Sequence, residues 1–130
     1  MTVAYVDASA LAKLLIVEAD STAMERWYVE IERAVTSRIG VVETRRALAR
    51  RGVPPRTGLV DRTLASVEIV ELDQSIADRA AAIGPAGLRT LHAIHLATAL
   101  EVGPIDAFVT YDDRLAEAAR GIGLPVVRPA

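Results

Sequence analysis

Residues 3–9 read Val-Ala-Tyr-Val-Asp-Ala-Ser, a short apolar run that stops on an acid, and this stretch decides the fold. A run of four apolar residues rich in β-branched and aromatic types reads as a strand. The same design recurs at residues 108–114, Phe-Val-Thr-Tyr-Asp-Asp-Arg. Within one parallel sheet the carboxyl ends of both strands point the same way, so Asp7 and Asp112 face one crevice. Two carboxylates brought together repel, and such a pair is stable mainly with a cation between them. The pattern points to a metal-dependent site.

Outward from these stretches the chain alternates strand and helix patterns. Ser9 is placed to cap a helix over residues 10–17, and Asp20-Ser21 opens a second helix reaching about Glu32. Residues 34–36 form a short strand, and 39–51 a helix ended by Gly52 and Pro54-Pro55. A helix near 57–66 precedes the alternating strand 67–72, and Asp73 caps a helix that Gly84-Pro85 stops. Thr90 caps residues 91–101; a strand at 107–110, a helix over 114–122 and a strand at 125–127 complete the chain. Strands alternating with helices predict a three-layer α/β/α domain, with a mostly parallel sheet of four to five strands. At 130 residues the chain reads as one domain spanning 1–130.

Composition narrows the chemistry. The absence of cysteine excludes disulfides, thiolate zinc sites and cysteine nucleophiles. Only 4% of the residues are aromatic, so stacking platforms for single-stranded bases are sparse. The apolar stretch 8–17 lacks the basic flank of a signal peptide and is interrupted by Lys13, and no run reaches a membrane span. A cytoplasmic protein without a membrane partner is the expectation. The net charge of −2 hides an asymmetry: residues 45–62 hold six arginines and one acid, a local +5 on a body of −7. Such a patch suits a polyanionic partner, or forms an ordinary solvated helix face.

Glu43 belongs to the helical segment Val-Val-Glu-Thr-Arg-Arg-Ala-Leu, with Arg46 three and Arg50 seven residues on. The three share one face, while Val41 and Leu48 fall toward the core. That helix offers an acid for a cation and arginines for phosphates, or a surface ladder of little energetic consequence. Ser9 and Thr110 stand beside the two strand-end acids as candidate supporting hydroxyls, with helix capping and strand packing as their simpler roles.

Together, VDASAL near the start, VVETRRAL, LRTLHAIHLATAL and FVTYDDRLAEAA resemble the PIN-domain ribonucleases, and more narrowly the VapC-type toxins of bacterial toxin–antitoxin pairs. The resemblance covers nearly the whole chain, with the motifs in order and at matching spacing. It implies an endoribonuclease dependent on Mg²⁺ or Mn²⁺, in which water activated by the metal cleaves an RNA phosphodiester. It assigns Asp7, Glu43 and Asp112 to the ion. It also implies inhibition by a VapB-type antitoxin and assembly as a homodimer, for which apolar positions such as Trp27 are available; Trp27 is equally an ordinary packing residue.

One position departs from the family pattern. Where a segment of the form LDALHLA has its aspartate, this chain has His92, followed by His95. No acid of an HExxH motif accompanies the two histidines, which argues against a dedicated zinc pair. In the first turn of a helix, the positive end of the dipole favours a neutral imidazole. Exchanging a hard oxygen for nitrogen weakens a Mg²⁺ site more than a Mn²⁺ site. Asp113 is the nearest replacement acid, with helix capping as its first reading. Three readings of His92 stay open: a natural variant with altered metal preference, a weakened member, or a deliberate disarming substitution. The leading function is therefore a ribonuclease toxin, and the alternative is a catalytically silent PIN fold that binds RNA or protein. Arg46, Arg50 and Arg89 are the candidate contacts to RNA or antitoxin.

Overall fold

A computed structural model describes residues 2–54 and 56–130. Its elements alternate as the sequence predicts: β1 (Val3–Val6), α1 (Ala8–Leu15), α2 (Ser21–Tyr28), β2 (Arg33–Ser37), α3 (Arg38–Arg50) and α4 (Gly58–Ala65). There follow β3 (Glu68–Val70), α5 (Gln74–Ala82), α6 (Thr90–Val102), β4 (Ala107–Val109), α7 (Asp113–Gly121) and β5 (Val126–Val127). All five strands are parallel, in the order β3-β2-β1-β4-β5.

That order makes the site. The chain builds outward from β1 through β2 to β3, then crosses back to place β4 on the other side of β1. The connections part at the carboxyl ends of β1 and β4, where a parallel sheet opens its ligand crevice. Val6 pairs with Val109, and the Asp7 N–H donates to the Val109 carbonyl at 3.2 Å. The residues just beyond, Asp7 and Thr110, are thereby neighbours.

Strand alternation divides the core. Along β1, Ala4 and Val6 join one apolar cluster with Leu11, Met24, Val41, Leu48 and Leu64. Tyr5 turns the other way, among Val35, Leu96, Phe108 and Leu115. Helices α1 to α4 therefore cover one face and α6 and α7 the other, the predicted three layers. Among the described residues, no helix is long and apolar enough to cross a membrane.

Local signals were misassigned in several places. The cap of α1 is Asp7, whose side chain accepts from the Ala10 N–H; Ser9 lies inside the helix. Thr90 is the first helical residue of α6, and Arg89 occupies the cap without a side-chain bond. Asp112, not Asp113, caps α7. β3 is shorter than the 67–72 run, and β4 ends at Val109, so Asp112 stands three residues past the strand. Helix α2 ends at Tyr28, and Trp27 is half-buried against the core cluster, which is its packing reading.

Candidate active site

Asp7 is the fixed point. It is 3% exposed, and three donors hold its carboxylate. Oδ1 accepts from the Ser9 hydroxyl at 2.6 Å and the Ala10 N–H at 2.9 Å; Oδ2 accepts from the Thr110 hydroxyl at 2.6 Å. Ser9 Oγ in turn accepts from the Tyr111 N–H at 2.8 Å, and Thr110 Oγ1 from the Asp112 N–H at 3.0 Å. Two hydroxyls thus latch the end of β1 to the turn after β4. Both were candidate supporting residues; neither serves as a helix cap. Burial raises the Asp7 pKa, although the donors from Ser9, Thr110 and Ala10 oppose it. A carboxylate kept from water in this way gains from any cation that reaches it.

Asp112 is shifted the other way. Its burial would raise the pKa, but the Leu115 and Arg114 N–H groups at the start of α7, a charge on His92 and the guanidinium of Arg89 together outweigh it. Asp112 Oδ1 accepts from Leu115 N–H at 2.9 Å, and Oδ2 lies 3.5 Å from His92 Nε2. The two strand-end acids differ accordingly: one is dry and reluctant to ionise, the other is at a helix N-terminus and readily ionised.

The histidines partner different acids. His92, in the first turn of α6, is turned toward Asp112, and its Nδ1 is buried without a hydrogen-bond partner among the described residues. His95, one turn on and 2% exposed, reaches across the sheet edge. Its Nε2 lies 2.6 Å from Glu43 Oε1 and its Nδ1 2.6 Å from the Tyr5 hydroxyl. Burial lifts the Tyr5 pKa well above its ordinary value, so the phenol keeps its proton and donates it to Nδ1. In the neutral ring this puts the hydrogen on Nε2, pointing at Glu43. His95 is a positioning residue for Glu43, and the zinc pair weighed from the sequence does not form. Tyr5 was missed altogether, although a tyrosine within a buried aliphatic strand demands a partner for its hydroxyl.

Around these acids lie the basic residues. Glu43, Arg46 and Arg50 do share one face of α3, and with Val42 and Leu91 they line a hollow of about 340 Å³. Val41 and Leu48 are in the core, as their spacing requires. Arg89 lies on the opposite flank of the α6 N-terminus, close enough to Asp112 to stabilise its charge. Asp113, the replacement acid weighed from the sequence, has a side chain 90% exposed and ion-paired with Arg128 at 2.8 Å.

As the side chains stand, no three Asp, Glu or His residues among those described converge to hold a metal ion. The donor chemistry nevertheless fits a hard divalent cation. Asp7 and Asp112 follow adjacent strands, Glu43 is tied to the same region through His95, and Asp7 Oδ2, with a single hydrogen bond, keeps a lone pair for a ligand. Completing the set requires Glu43 to turn from His95 and Asp112 to turn from His92.

Comparison with known proteins agrees with this architecture. A PIN domain family model matches residues 4–121. Ribonuclease VapC47 of Mycobacterium tuberculosis (strain CDC 1551 / Oshkosh) is 41% identical over 130 residues, covering 96% of each chain. The crystal structure of Mycobacterium tuberculosis VapC20, described as a sarcin-ricin loop cleaving toxin, superposes with a TM-score of 0.75 at 19% identity, covering 97% of this chain and 99% of that one. A chain of a toxin–antitoxin complex from Klebsiella pneumoniae superposes with a TM-score of 0.70 at 22% identity, covering 98% of both. At such identities the two structures testify to the shared fold.

Proposed function

Because this chain belongs to the PIN-domain family, and within it to the VapC-type ribonucleases, we propose that it is a divalent-metal-dependent endoribonuclease, the toxin of a toxin–antitoxin pair. The observation that carries the proposal is Asp7. A buried carboxylate latched by Ser9 and Thr110 at the switch point, beside Asp112, is a costly arrangement that structure alone does not require. Asp7, Asp112 and, after turning, Glu43 would hold Mg²⁺ or Mn²⁺. A bound ion of this kind supplies Lewis acidity, stabilising charge at the reacting phosphate and activating water. Ser9 and Thr110 keep the Asp7 oxygens oriented. Arg46 and Arg50 on one side, and Arg89 on the other, grip RNA phosphates by bidentate hydrogen bonds.

Residues 1–130 act as one PIN domain in the cytoplasm, where the RNA lies. A cognate VapB-type antitoxin is the proposed partner, a chain of this fold being part of a solved toxin–antitoxin complex, and the basic residues Arg46, Arg50 and Arg89 are its proposed contacts. Homodimerisation is proposed on family grounds.

A second reading, a catalytically silent RNA- or protein-binding module, is favoured by His92, which puts imidazole where the family has a carboxylate. One assay separates them: RNA cleavage with Mg²⁺ and with Mn²⁺ by the unmodified protein, Asp7→Ala and His92→Asp. Cleavage abolished by Asp7→Ala is the expected result. RNA binding without turnover in the unmodified protein, together with turnover restored by His92→Asp, identifies the silent module.

A further inference from the structure

A larger cleft adjoins the acids on the side away from Arg46 and Arg50. It lies between the loop before α6, the first turn of α6 and helix α7, and its volume is about 610 Å³. That falls within the roughly 300–1,000 Å³ typical of small-ligand clefts. Its floor is apolar: Leu88, Ala118 and Ile122 pack on the core cluster of Leu96 and Leu115, so the fold fixes their positions. Its rim is charged, lined by Arg89 at the cap of α6 and by Arg114 and Glu117, three residues apart on α7. Arg89 is close enough to Asp112 to stabilise its charge, and Arg114 and Glu117 stand exposed on α7. His92 lines the cleft and lies 3.5 Å from Asp112, so the cleft is continuous with the acids.

We propose that this cleft takes one nucleobase of the RNA, that of a nucleotide flanking the cut, and thereby sets cleavage specificity. The inference rests on the nuclease reading. A base needs an apolar surface against its face and polar groups at its edge, and the cleft has both. The guanidiniums of Arg89 and Arg114 hold the phosphates on either side of the seated nucleotide. Glu117, an acceptor only when ionised, receives an exocyclic amino group. Cytosine, adenine and guanine carry such a group, whereas uracil offers only its ring N3–H at a different edge position, so uracil is the disfavoured base. The hollow holding Arg46 and Arg50 lies across the α6 N-terminus, with Leu91 lining that hollow and His92 this cleft. A strand laid over that turn meets cationic ground on both sides of the acids.

The test uses RNA carrying a randomised single-stranded segment, cleaved by the unmodified protein in Mn²⁺, with the products sequenced. Uracil should be depleted at one nucleotide flanking the cut. An abasic site there should slow cleavage by roughly fivefold, the low end of what a base stacked on an aromatic side chain contributes, because this floor is aliphatic. Ala118→Phe, which fills the floor, should bring the ratio of intact to abasic rates toward one, and Glu117→Ala should remove the depletion of uracil. Glu117 is an exposed helical residue, so its variant and the abasic series decide the matter even if Ala118→Phe does not fold. Cleavage without an abasic penalty at either flanking nucleotide, or a uracil bias that survives Glu117→Ala, overturns the subsite and leaves the nuclease reading standing. No cleavage of any RNA overturns both.

Discussion

Replacing Asp7 with asparagine should make the metal-free protein more stable at neutral pH while destroying its activity. The side chains have the same shape, and both cap helices well. The asparagine oxygen keeps the bonds from Ser9 and Ala10; its NH₂ faces Thr110, whose hydroxyl rotates to accept. What disappears is a carboxylate that is 97% withdrawn from water, as its 3% exposure implies. The net cost of that buried charge, after three hydrogen bonds, is on the order of 1–2 kcal/mol. For a domain of this size, at about 3–5 °C per kcal/mol, the melting temperature should rise by roughly 3–10 °C.

The pH dependence supplies the sharper check. Burial raises the Asp7 pKa above its ordinary 3.8, so the folded protein holds this proton more tightly than the unfolded chain. Wild-type stability from this group is therefore fully present below pH 3.8 and is lost as the pH rises through the folded-state value. Asparagine does not titrate, so its advantage should be small near pH 3.8 and reach its full size near neutrality. Thermal melts of both proteins in EDTA, at fixed ionic strength across this range, measure the difference directly. Added Mg²⁺ should then stabilise the wild type by about 2.7 kcal/mol at a hundredfold excess over Kd, and the variant far less. An asparagine variant that is no more stable at pH 7 in EDTA, or an advantage that stays constant with pH, would refute the reasoning.

Four further outcomes are expected. His92→Asp should increase Mg²⁺-dependent RNA cleavage by at least about tenfold, the scale on which metal sites respond to a changed partner; superimposable Mg²⁺ titrations would defeat this. Tyr5→Phe should cost about 1–3 kcal/mol in urea unfolding, because His95 Nδ1 loses its donor in the dry core, and cleavage should fall with it. Arg46→Glu combined with Arg50→Glu should weaken RNA binding and flatten its log–log salt slope by at least about 1.4, and an unchanged slope counts against the phosphate assignment. Asp112→Asn should weaken Mn²⁺ binding, measured calorimetrically, more than Glu43→Gln does; the reverse order would show that Glu43 already stands free for the ion.

The fold was legible because its signals are local and redundant. Val3–Val6 is apolar on both faces, and only a strand inside a doubly covered sheet buries Ala4, Tyr5 and Val6 together. Errors gathered where two residues competed for one role. Asp7 and Ser9 both suit a helix cap, as do Asp112 and Asp113. The earlier residue won each time, because the chain leaves its extended conformation immediately after it. Thr90 lost the cap of α6 to Arg89, whose backbone is extended although its side chain makes no capping bond.

Within the site, the two strand ends paired Asp7 with Asp112 and helical spacing put Glu43 on one face with Arg46 and Arg50, but neither could reveal which partner each acid takes. That choice depends on distances across the sheet. His95 is 90 residues from Tyr5 and 52 from Glu43, yet bonds both at 2.6 Å. The energetic consequence is an ordering of the three acids. Asp7 is locked by its hydroxyl latch. Asp112 is held through Oδ1 by the Leu115 N–H at 2.9 Å, while its Oδ2 meets only the weaker 3.5 Å contact with His92. Glu43 is held by a short bond to a buried imidazole, and releasing it costs about 1.5–3 kcal/mol. Asp7 and Asp112 would therefore be the readier ligands for a divalent cation, and Glu43 would join them only if the cation's attraction exceeded that of His95. Because Tyr5 fixes the hydrogen of His95 on the side facing Glu43, the hidden hydroxyl in β1 governs how readily the third acid is released.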